Sequence, residues 1–267
     1  MRHQPRKRFG QNFLKKQEVI DEILRAIGAQ YDDFMVEIGP GLGALTTPLA
    51  TALKQLHVIE LDRDIVKVLR ETHANSNVVV HEGDALAFDF TALGSGLRVV
   101  GNLPYNISTP LLFHLAEQIE CVQDIHAMLQ KEVVERMVAA PDTAAYGRLS
   151  VALQYRFEME KVLDVGPDAF YPQPKVNSAM VRMLPRAKRD PAAQDEVLFA
   201  RIVTTAFSQR RKTLRNTLRN ILEGADFEAL DIDAGARAET LAVGDFVRIA
   251  NWVGHRQKNL LATDEHR

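Results

Sequence analysis

The tetrapeptide Asn102-Leu103-Pro104-Tyr105 brings more chemistry together than any other stretch of the chain. The Asn102 side-chain oxygen and the Leu103 main-chain carbonyl are two neutral acceptors. Pro104 confines Leu103 to an extended backbone and so fixes where that carbonyl points. Two such acceptors can grip both hydrogens of an aromatic NH2 group. The exocyclic amine of adenine is a poor nucleophile, because its lone pair is delocalised into the ring. Held in this way it is driven towards a pyramidal nitrogen whose lone pair faces an electrophilic methyl group. Tyr105 offers a ring to stack on a base swung out of its helix. Phe170, in the stiff Phe170-Tyr171-Pro172-Gln173-Pro174-Lys175-Val176, is the natural second stacking face. No general base is required, since the alkylated product loses its proton to water. The bland readings are a turn with a packing tyrosine and a core phenylalanine.

The apolar run Met35 to Ile38 leads into Gly39-Pro40-Gly41-Leu42-Gly43 and then a helical pattern. Backbone amides at a helix start, facing the carboxyl edge of a sheet, suit a nucleotide-type ligand. Read as Gly39-x-Gly41-x-x-Ala44, with Glu60 about twenty residues on as a ribose-binding acid, the loop fits NAD and S-adenosylmethionine equally. Glu37, inside the strand before the loop, favours the latter, because in methyltransferases an acid there helps to position the loop and the cationic methionine end. Asp84 in Gly83-Asp84-Ala85 is placed to accept from an adenine amino group, with the Ala85 amide available to the ring. An Asp in such a turn is also a common helix N-cap.

These residues need a scaffold, and the first two thirds of the chain supply an α/β one. Strands are expected at Met35 to Ile38, Leu56 to Leu61, Val78 to His81, Arg98 to Gly101 and Ile125 to Gln130. Helices are expected between them at Ala44 to Leu53, Asp64 to Thr72 and Thr109 to Gln118, which is the βαβ pattern of a parallel sheet. Tyr155 to Val165 and Ser178 to Leu184 read as an antiparallel addition to the sheet edge. Pro185 to Gln194 reads as a linker, and the rest of the chain is helical in pattern. The expected organisation is a Rossmann-like class I methyltransferase domain over residues 1–185 and a small all-helical C-terminal domain over 195–267.

Bulk properties are those of a soluble enzyme: 46% hydrophobic, 25% charged, net charge -2. Disordered, collagen-like and disulfide-rich classes are excluded. Cys121 is the single cysteine, which fits a reducing compartment; the basic N-terminus lacks an apolar h-region and no apolar run reaches spanning length, so neither export nor membrane insertion is expected. The histidines His57, His73, His81, His114 and His126 show no metal-ligand spacing and are expected at the surface or sheet edge, and no metal is expected. The charge is unevenly spread. No acid occurs from Met1 to Gln17, which holds Arg2, Arg6, Lys7, Arg8, Lys15 and Lys16, nor from Val197 to Leu222. These are two basic patches on an acidic remainder.

Taken together, Gln11-Asn12-Phe13-Leu14, Glu37-Ile38-Gly39-Pro40-Gly41, Gly83-Asp84-Ala85, Asn102-Leu103-Pro104-Tyr105 and Phe170 to Ser178 resemble the KsgA-type ribosomal RNA adenine dimethyltransferases over nearly the whole chain. The resemblance implies that Asn12, Leu14, Gly39, Glu60, Asp84 and Asn102 contact S-adenosylmethionine; Glu37, Gly41 and Ala85, from the glycine loop and the Asp84 turn, complete the expected cofactor site. It also implies that Asn102 to Tyr105 with Phe170 hold the target base. The erythromycin-resistance enzymes, which act on large-subunit RNA, share this core, so the second domain must set the substrate. Phe207 to Asn216 resembles the small-subunit branch. There Arg211, Arg215 and Arg219 fall at i, i+4, i+8 and are expected to form a helical ridge over inward-facing Leu214, Leu218 and Ile221. With Arg6, Lys7, Arg8, Arg210 and Lys212 they are the expected RNA contacts, whose binding would be strongly salt-dependent. The implied activity is transfer of four methyl groups to two adjacent adenosines of the 3′-terminal hairpin loop of 16S rRNA, during small-subunit assembly, by a cytoplasmic monomer. An NAD oxidoreductase leaves Asn102 to Tyr105 unexplained. An RNA-binding assembly or transcription factor that keeps the fold without the activity is the remaining rival.

Overall fold

The computed structural model describes residues 11–264. Arg6, Lys7 and Arg8 lie outside the described residues. In chain order the elements are β1 (Phe13–Leu14), α1 (Gln17–Ile27), β2 (Phe34–Ile38), α2 (Thr46–Ala52), β3 (Leu56–Glu60), α3 (Arg63–Thr72), β4 (Val78–Glu82), β5 (Leu97–Asn102), α4 (Ser108–Glu117) and β6 (Val122–Gln130). They continue as α5 (Lys131–Met137), α6 (Arg148–Gln154), β7 (Phe157–Val165), β8 (Phe170–Tyr171), β9 (Ser178–Pro185), α7 (Glu196–Ala206), α8 (Leu214–Thr217), α9 (Gly224–Ala229) and α10 (Val243–Asp264).

Seven strands form one sheet in the order β4-β3-β2-β5-β6-β9-β7. The pairs β2 with β3, β2 with β5, β3 with β4 and β5 with β6 are parallel, and β9 runs antiparallel to β6. The central strands are buried on both faces and read as continuous apolar runs for that reason. Met35, Val36, Leu56, Val58, Val99 and Val100 are all shut off from solvent. This is the mainly parallel α/β sheet expected of the first domain, with β9 as its antiparallel addition, and helices make up the C-terminal part.

The described residues divide into two compact units, one of residues 11–134 and 158–185, the other of 135–157 and 186–264. Residues 135–157, which the sequence pattern places before the domain boundary, cluster with the second unit. Val151 and Tyr155 of that stretch share a core with Ile202, Leu214, Leu218 and Phe246. The expected linker is tied to the same unit, since the Arg186 amide donates to the Arg156 carbonyl and the Ala193 amide to the Tyr155 hydroxyl.

In the first unit α1 buries Ile20, Ile23 and Ile27 along one stripe and ends at Gly28, whose φ of 58° suits glycine. At the amino edge of the sheet Arg98 donates to both oxygens of Asp124, to Asp33 and to the Ile27 carbonyl. One guanidinium thus ties the end of α1 to two strands. His126, two residues along β6 from Asp124, corrects the expectation of surface histidines. It is 1% exposed, with Nδ1 3.7 Å from the Asp124 carboxylate. His57 and His81, on neighbouring strands, are half-buried with ring nitrogens 2.9 Å apart. Among the described residues no group of three His, Cys, Asp or Glu is placed to hold a metal ion, and no helix is long and apolar enough to cross a membrane.

Parallel pairing of β2 with β5 brings two carboxyl ends together, and with them the glycine loop and Asn102. The approach is so close that a methyl group on Gly101 would lie 2.5 Å from the Ile38 carbonyl oxygen. Gly101→Ala is therefore expected to destabilise the protein by roughly 2 kcal/mol or more, read as a lowered urea midpoint at unchanged m-value. A midpoint equal to that of the parent would show that the two strand ends can separate freely.

Candidate active site

The carboxyl ends of β2, β3, β4 and β5 open onto a cavity of about 320 Å³. Asn12, Leu14, Glu37, Gly39, Gly41, Glu60, Asp84, Ala85, Asn102, Leu103, Pro104 and Tyr105 all line it. Residues from four strand ends and the N-terminal segment thus meet in one place, as an open α/β sheet requires of its ligand site.

The loop after β2 is held by its own backbone conformations. Gly39, Gly41 and Gly43 have φ of 67°, 55° and 85°, which residues with a Cβ rarely adopt. A Cβ on Gly41 would also meet the Phe13 ring at 2.9 Å, so the N-terminal segment lies against the loop. Residues 41–45 are taken up by these turns, which is why α2 starts at Thr46 rather than at the expected Ala44. The Thr46 hydroxyl donates to Glu37 at 2.7 Å, tying the start of α2 to the strand before the loop.

Glu37 is 2% exposed. Burial pushes its carboxyl up to about 7, the Thr46 hydroxyl pulls it down, and the neighbouring Glu60 charge raises it. Glu60, at the end of β3, is likewise raised by burial, although it accepts from the Leu61 and Asp62 amides at 2.9 and 2.8 Å and from Gly41. Two acids with little water thus sit on one wall of the cavity, a setting that favours a hydroxyl-rich or cationic ligand. Asp84 accepts from the Leu86 amide through Oδ1 at 2.9 Å, so the turn-capping reading of this residue holds alongside its place in the lining.

Asn102 is fixed from an unexpected direction. Its Nδ2 donates to the main-chain carbonyl of Asn12 at 2.8 Å. A carbonyl can only accept, so the amide nitrogen must face it and Oδ1 must face away. Among the described residues no hydrogen bond reaches that oxygen. Asn12 is held in turn by its neighbours. β1 pairs antiparallel with β8, Phe13 opposite Tyr171 and Leu14 opposite Phe170. The Lys15 amide donates to the Ala169 carbonyl at 2.9 Å, and Lys16 meets Asp168 at 3.1 Å. Leu103 donates its amide to the Met128 carbonyl at 3.1 Å, and the Tyr105 hydroxyl lies 2.6 Å from Ser178 Oγ.

Phe170 corrects the sequence reading. It is 1% exposed and packs among Leu14, Val165, Met180 and the rest of the core. It does not line the cavity and offers no stacking face in this structure; its strand pairing with Leu14 turned the ring inward. Gln11, Phe13, Ile38, Leu61 and Ile107 also line the cavity. Sequence reasoning assigns them no role: apolar Phe13, Ile38, Leu61 and Ile107 carry no signature that distinguishes lining from core, and Gln11 reaches the cavity only because the segment before β1 lies against the glycine loop.

A match to the ribosomal RNA adenine dimethylase family covers residues 2–255. The chain belongs to that family. This dimethylase is 59% identical over 251 residues, 94% of its length and 96% of the relative's, to ribosomal RNA small subunit methyltransferase A of Chromobacterium violaceum. It is 58% identical over 94% of its length to the protein of the same name from Nitrosospira multiformis, of which 97% is covered. Among solved structures it resembles a dimethyladenosine transferase from Plasmodium falciparum, with TM-score 0.79, 26% identity and coverage of 91% and 98% of the two chains. A 23S rRNA methyltransferase, ErmE, shares the fold with TM-score 0.72 at 24% identity, over 91% of this chain and 100% of that one. The dimethylase is an S-adenosylmethionine-dependent enzyme, and the lining fits that molecule. Gly39 and Gly41 bring no side chain into the cavity, the buried acids Glu37 and Glu60 would suit a cationic amino-acid tail and ribose hydroxyls, and Ile38, Ala85 and Leu103 would offer apolar walls to a base.

The basic stretch of the second unit differs from expectation. α8 is a single turn, Leu214–Thr217, so Arg211 precedes the helix, Arg219 follows it, and the three arginines form no continuous helical ridge. The Leu214 and Arg215 amides donate to the Ala236 and Ala234 carbonyls, so tertiary acceptors replace the helical ones. Leu214 and Leu218 are buried as expected, and Ile221 is partly so. Arg211, Lys212, Arg215 and Arg219 are exposed. Arg210 is also exposed but ion-paired with Glu239 at 3.3 Å, an acid remote in sequence.

Because the Glu37 carboxyl is raised in the folded state, folding takes up a proton between pH 4.5 and about 7. Its contribution to stability therefore falls as pH rises through that window and is level above it. Glu37→Gln cannot titrate. In urea titrations without S-adenosylmethionine, the variant should gain on the parent by about 1–3 kcal/mol from pH 4.5 to 7.5. A difference independent of pH would mean that Glu37 is ionised throughout.

Proposed function

We propose that this dimethylase transfers methyl groups from S-adenosylmethionine to N6 of adenosine in small-subunit ribosomal RNA. The products are two adjacent dimethyladenosines in the 3′-terminal hairpin loop, formed in the cytoplasm during small-subunit assembly. The observation that carries this reading is the Asn102 carboxamide, locked by the Asn12 carbonyl with its oxygen pointing away from that lock. Close identity to two proteins named for the small subunit supports the choice of RNA.

S-adenosylmethionine, when bound, supplies the activated methyl group. In our reading Glu60 takes ribose hydroxyls, Asp84 and the Ala85 amide take the cofactor's adenine, and Gly39, Gly41, Asn12 and Leu14 with Glu37 surround the methionine end. Asn102 Oδ1 and the Leu103 carbonyl accept the two hydrogens of the target N6, directing its lone pair at the methyl group. Tyr105 stacks on the extruded base, which offsets the loss of stacking in the RNA. The methylated nitrogen releases its proton to water. After the first transfer one hydrogen remains on N6, so one acceptor suffices for the second.

Arg211, Lys212, Arg215 and Arg219 are read as phosphate contacts, and their exposure, with no acidic partner among the described residues, suits that role. Every residue lining the cavity comes from the first unit.

Labelled S-adenosylmethionine offered to small ribosomal subunits that lack the modification should yield dimethyladenosine in the small-subunit RNA, identified by mass spectrometry of the nucleosides. Asn102→Ala should lower kcat roughly 100-fold or more while the variant still binds the particle. Methylation confined to large-subunit RNA would overturn the substrate, and binding without any transfer by the parent protein would favour an assembly factor.

A further inference from the structure

The segment from Phe170 to Ser178 has the aromatic ring expected to face the base, yet that ring is buried. What the segment does instead is visible at its two ends. At one end the backbone of Phe170 and Tyr171 pairs with β1, the strand that comes directly after the Asn12 carbonyl holding Asn102. At the other end Ser178 reaches Tyr105. The Ser178 side chain is 0% exposed, sits at the first position of β9 and is opposite Gln130 of β6. Its Oγ lies 2.6 Å from the Tyr105 hydroxyl. Tyr105 itself is half-buried on the turn between β5 and α4, where the Ser108 hydroxyl donates to its carbonyl at 3.1 Å.

We propose that Ser178 is a positioning residue for the reaction, holding the Tyr105 ring at the angle needed to receive the adenine. The inference rests on the reading of Tyr105 as the stacking face. A tyrosine on a turn has two free side-chain torsions, and backbone bonds at its own residue restrain neither end of the ring. A hydroxyl anchored in the sheet restrains the far end. The ring is then preorganised before the base arrives, rather than ordered at the cost of binding energy. A phenylalanine would stack as well but would be unanchored, which gives the hydroxyl of Tyr105 a purpose outside the cavity. The 170–178 segment is thus a clamp that sets both Asn102 and Tyr105 from behind, without touching substrate.

The test is a double-mutant cycle with Ser178→Ala and Tyr105→Phe, assayed on unmodified small subunits at saturating S-adenosylmethionine. Each single variant should lower kcat about 5- to 10-fold, the range of one lost hydrogen bond. Their combination should be no worse than either alone, with S-adenosylmethionine affinity unchanged and Ser178→Cys intermediate. Multiplicative losses, or a loss of cofactor affinity in step with kcat, would assign Ser178 a merely structural role. Should Ser178→Ala fail to fold, Tyr105→Phe removes the same bond from the less buried side, and unchanged kcat in that variant overturns the proposal. Tyr105→Ala separates the two levels of the argument. Full turnover in it would refute stacking by Tyr105 itself, whereas a large loss there with none in Tyr105→Phe would refute only the Ser178 anchor.

Discussion

A carboxamide has two ends that sterics barely distinguish, one donating and one accepting. Catalysis on an amine needs the accepting end. The Asn12 carbonyl makes that choice for Asn102, and most of the fold bears on keeping the two in register. β5 delivers Asn102 to the carboxyl edge of the sheet, while β1 brings Asn12 to it from a part of the chain ninety residues earlier. The strand pairing of β1 with β8, the Lys15 amide and the exposed Lys16 to Asp168 pair hold β1 there. The ion pair adds little by itself, since both groups are solvated. The backbone bonds and the packing of Leu14 in the core carry the weight.

The same edge of the sheet shows how polar groups are tolerated where chemistry requires them. Gly101 lets β5 approach Ile38 so closely that the glycine loop and Asn102 share one cavity wall. Glu37 and Glu60 are buried beside each other in that wall, with hydroxyl and amide donors offsetting only part of the cost of burial. In the proposed function a cationic ligand would relieve that arrangement, so that stability given up in the free protein would reappear as affinity. At the opposite edge Arg98 is surrounded by Asp124, Asp33 and a carbonyl, so that this buried charge is paired and hydrogen-bonded within the protein.

Local chemistry was legible wherever a residue type must sit at a strand end. The glycine loop, Glu60, Asp84 and Asn102 to Tyr105 all come to the cavity because each follows an apolar run whose parallel pairing has few alternatives. The strands were placed within a few residues for the same reason. What escaped depended on contacts between distant parts of the chain. Phe170 reads identically as a stacking face or a core residue until β8 pairs with β1. The arginines at 211, 215 and 219 have helical spacing, but the Ala234 and Ala236 carbonyls capture the amides that a longer helix would use. Glu239 finds Arg210 across the second unit, where sequence distance had suggested no partner. His126 lies in a strand whose neighbours on both sides are covered, and its polarity alone suggested an edge. Asn12 entered only through a resemblance, and its main-chain role has no signature in residue type.

The orientation of the Asn102 carboxamide is the claim on which the account turns, and it can be observed directly. In protein labelled with nitrogen-15 at asparagine side chains and carbon-13 at the carbonyls, the Asn102 Nδ2 resonance should show a through-bond coupling to the Asn12 carbonyl carbon across the hydrogen bond, with side-chain protons slow to exchange. An Asn102 amide group that exchanges at the solvent rate and shows no such coupling would mean that its nitrogen faces the cavity, and that the oxygen is not presented to the base.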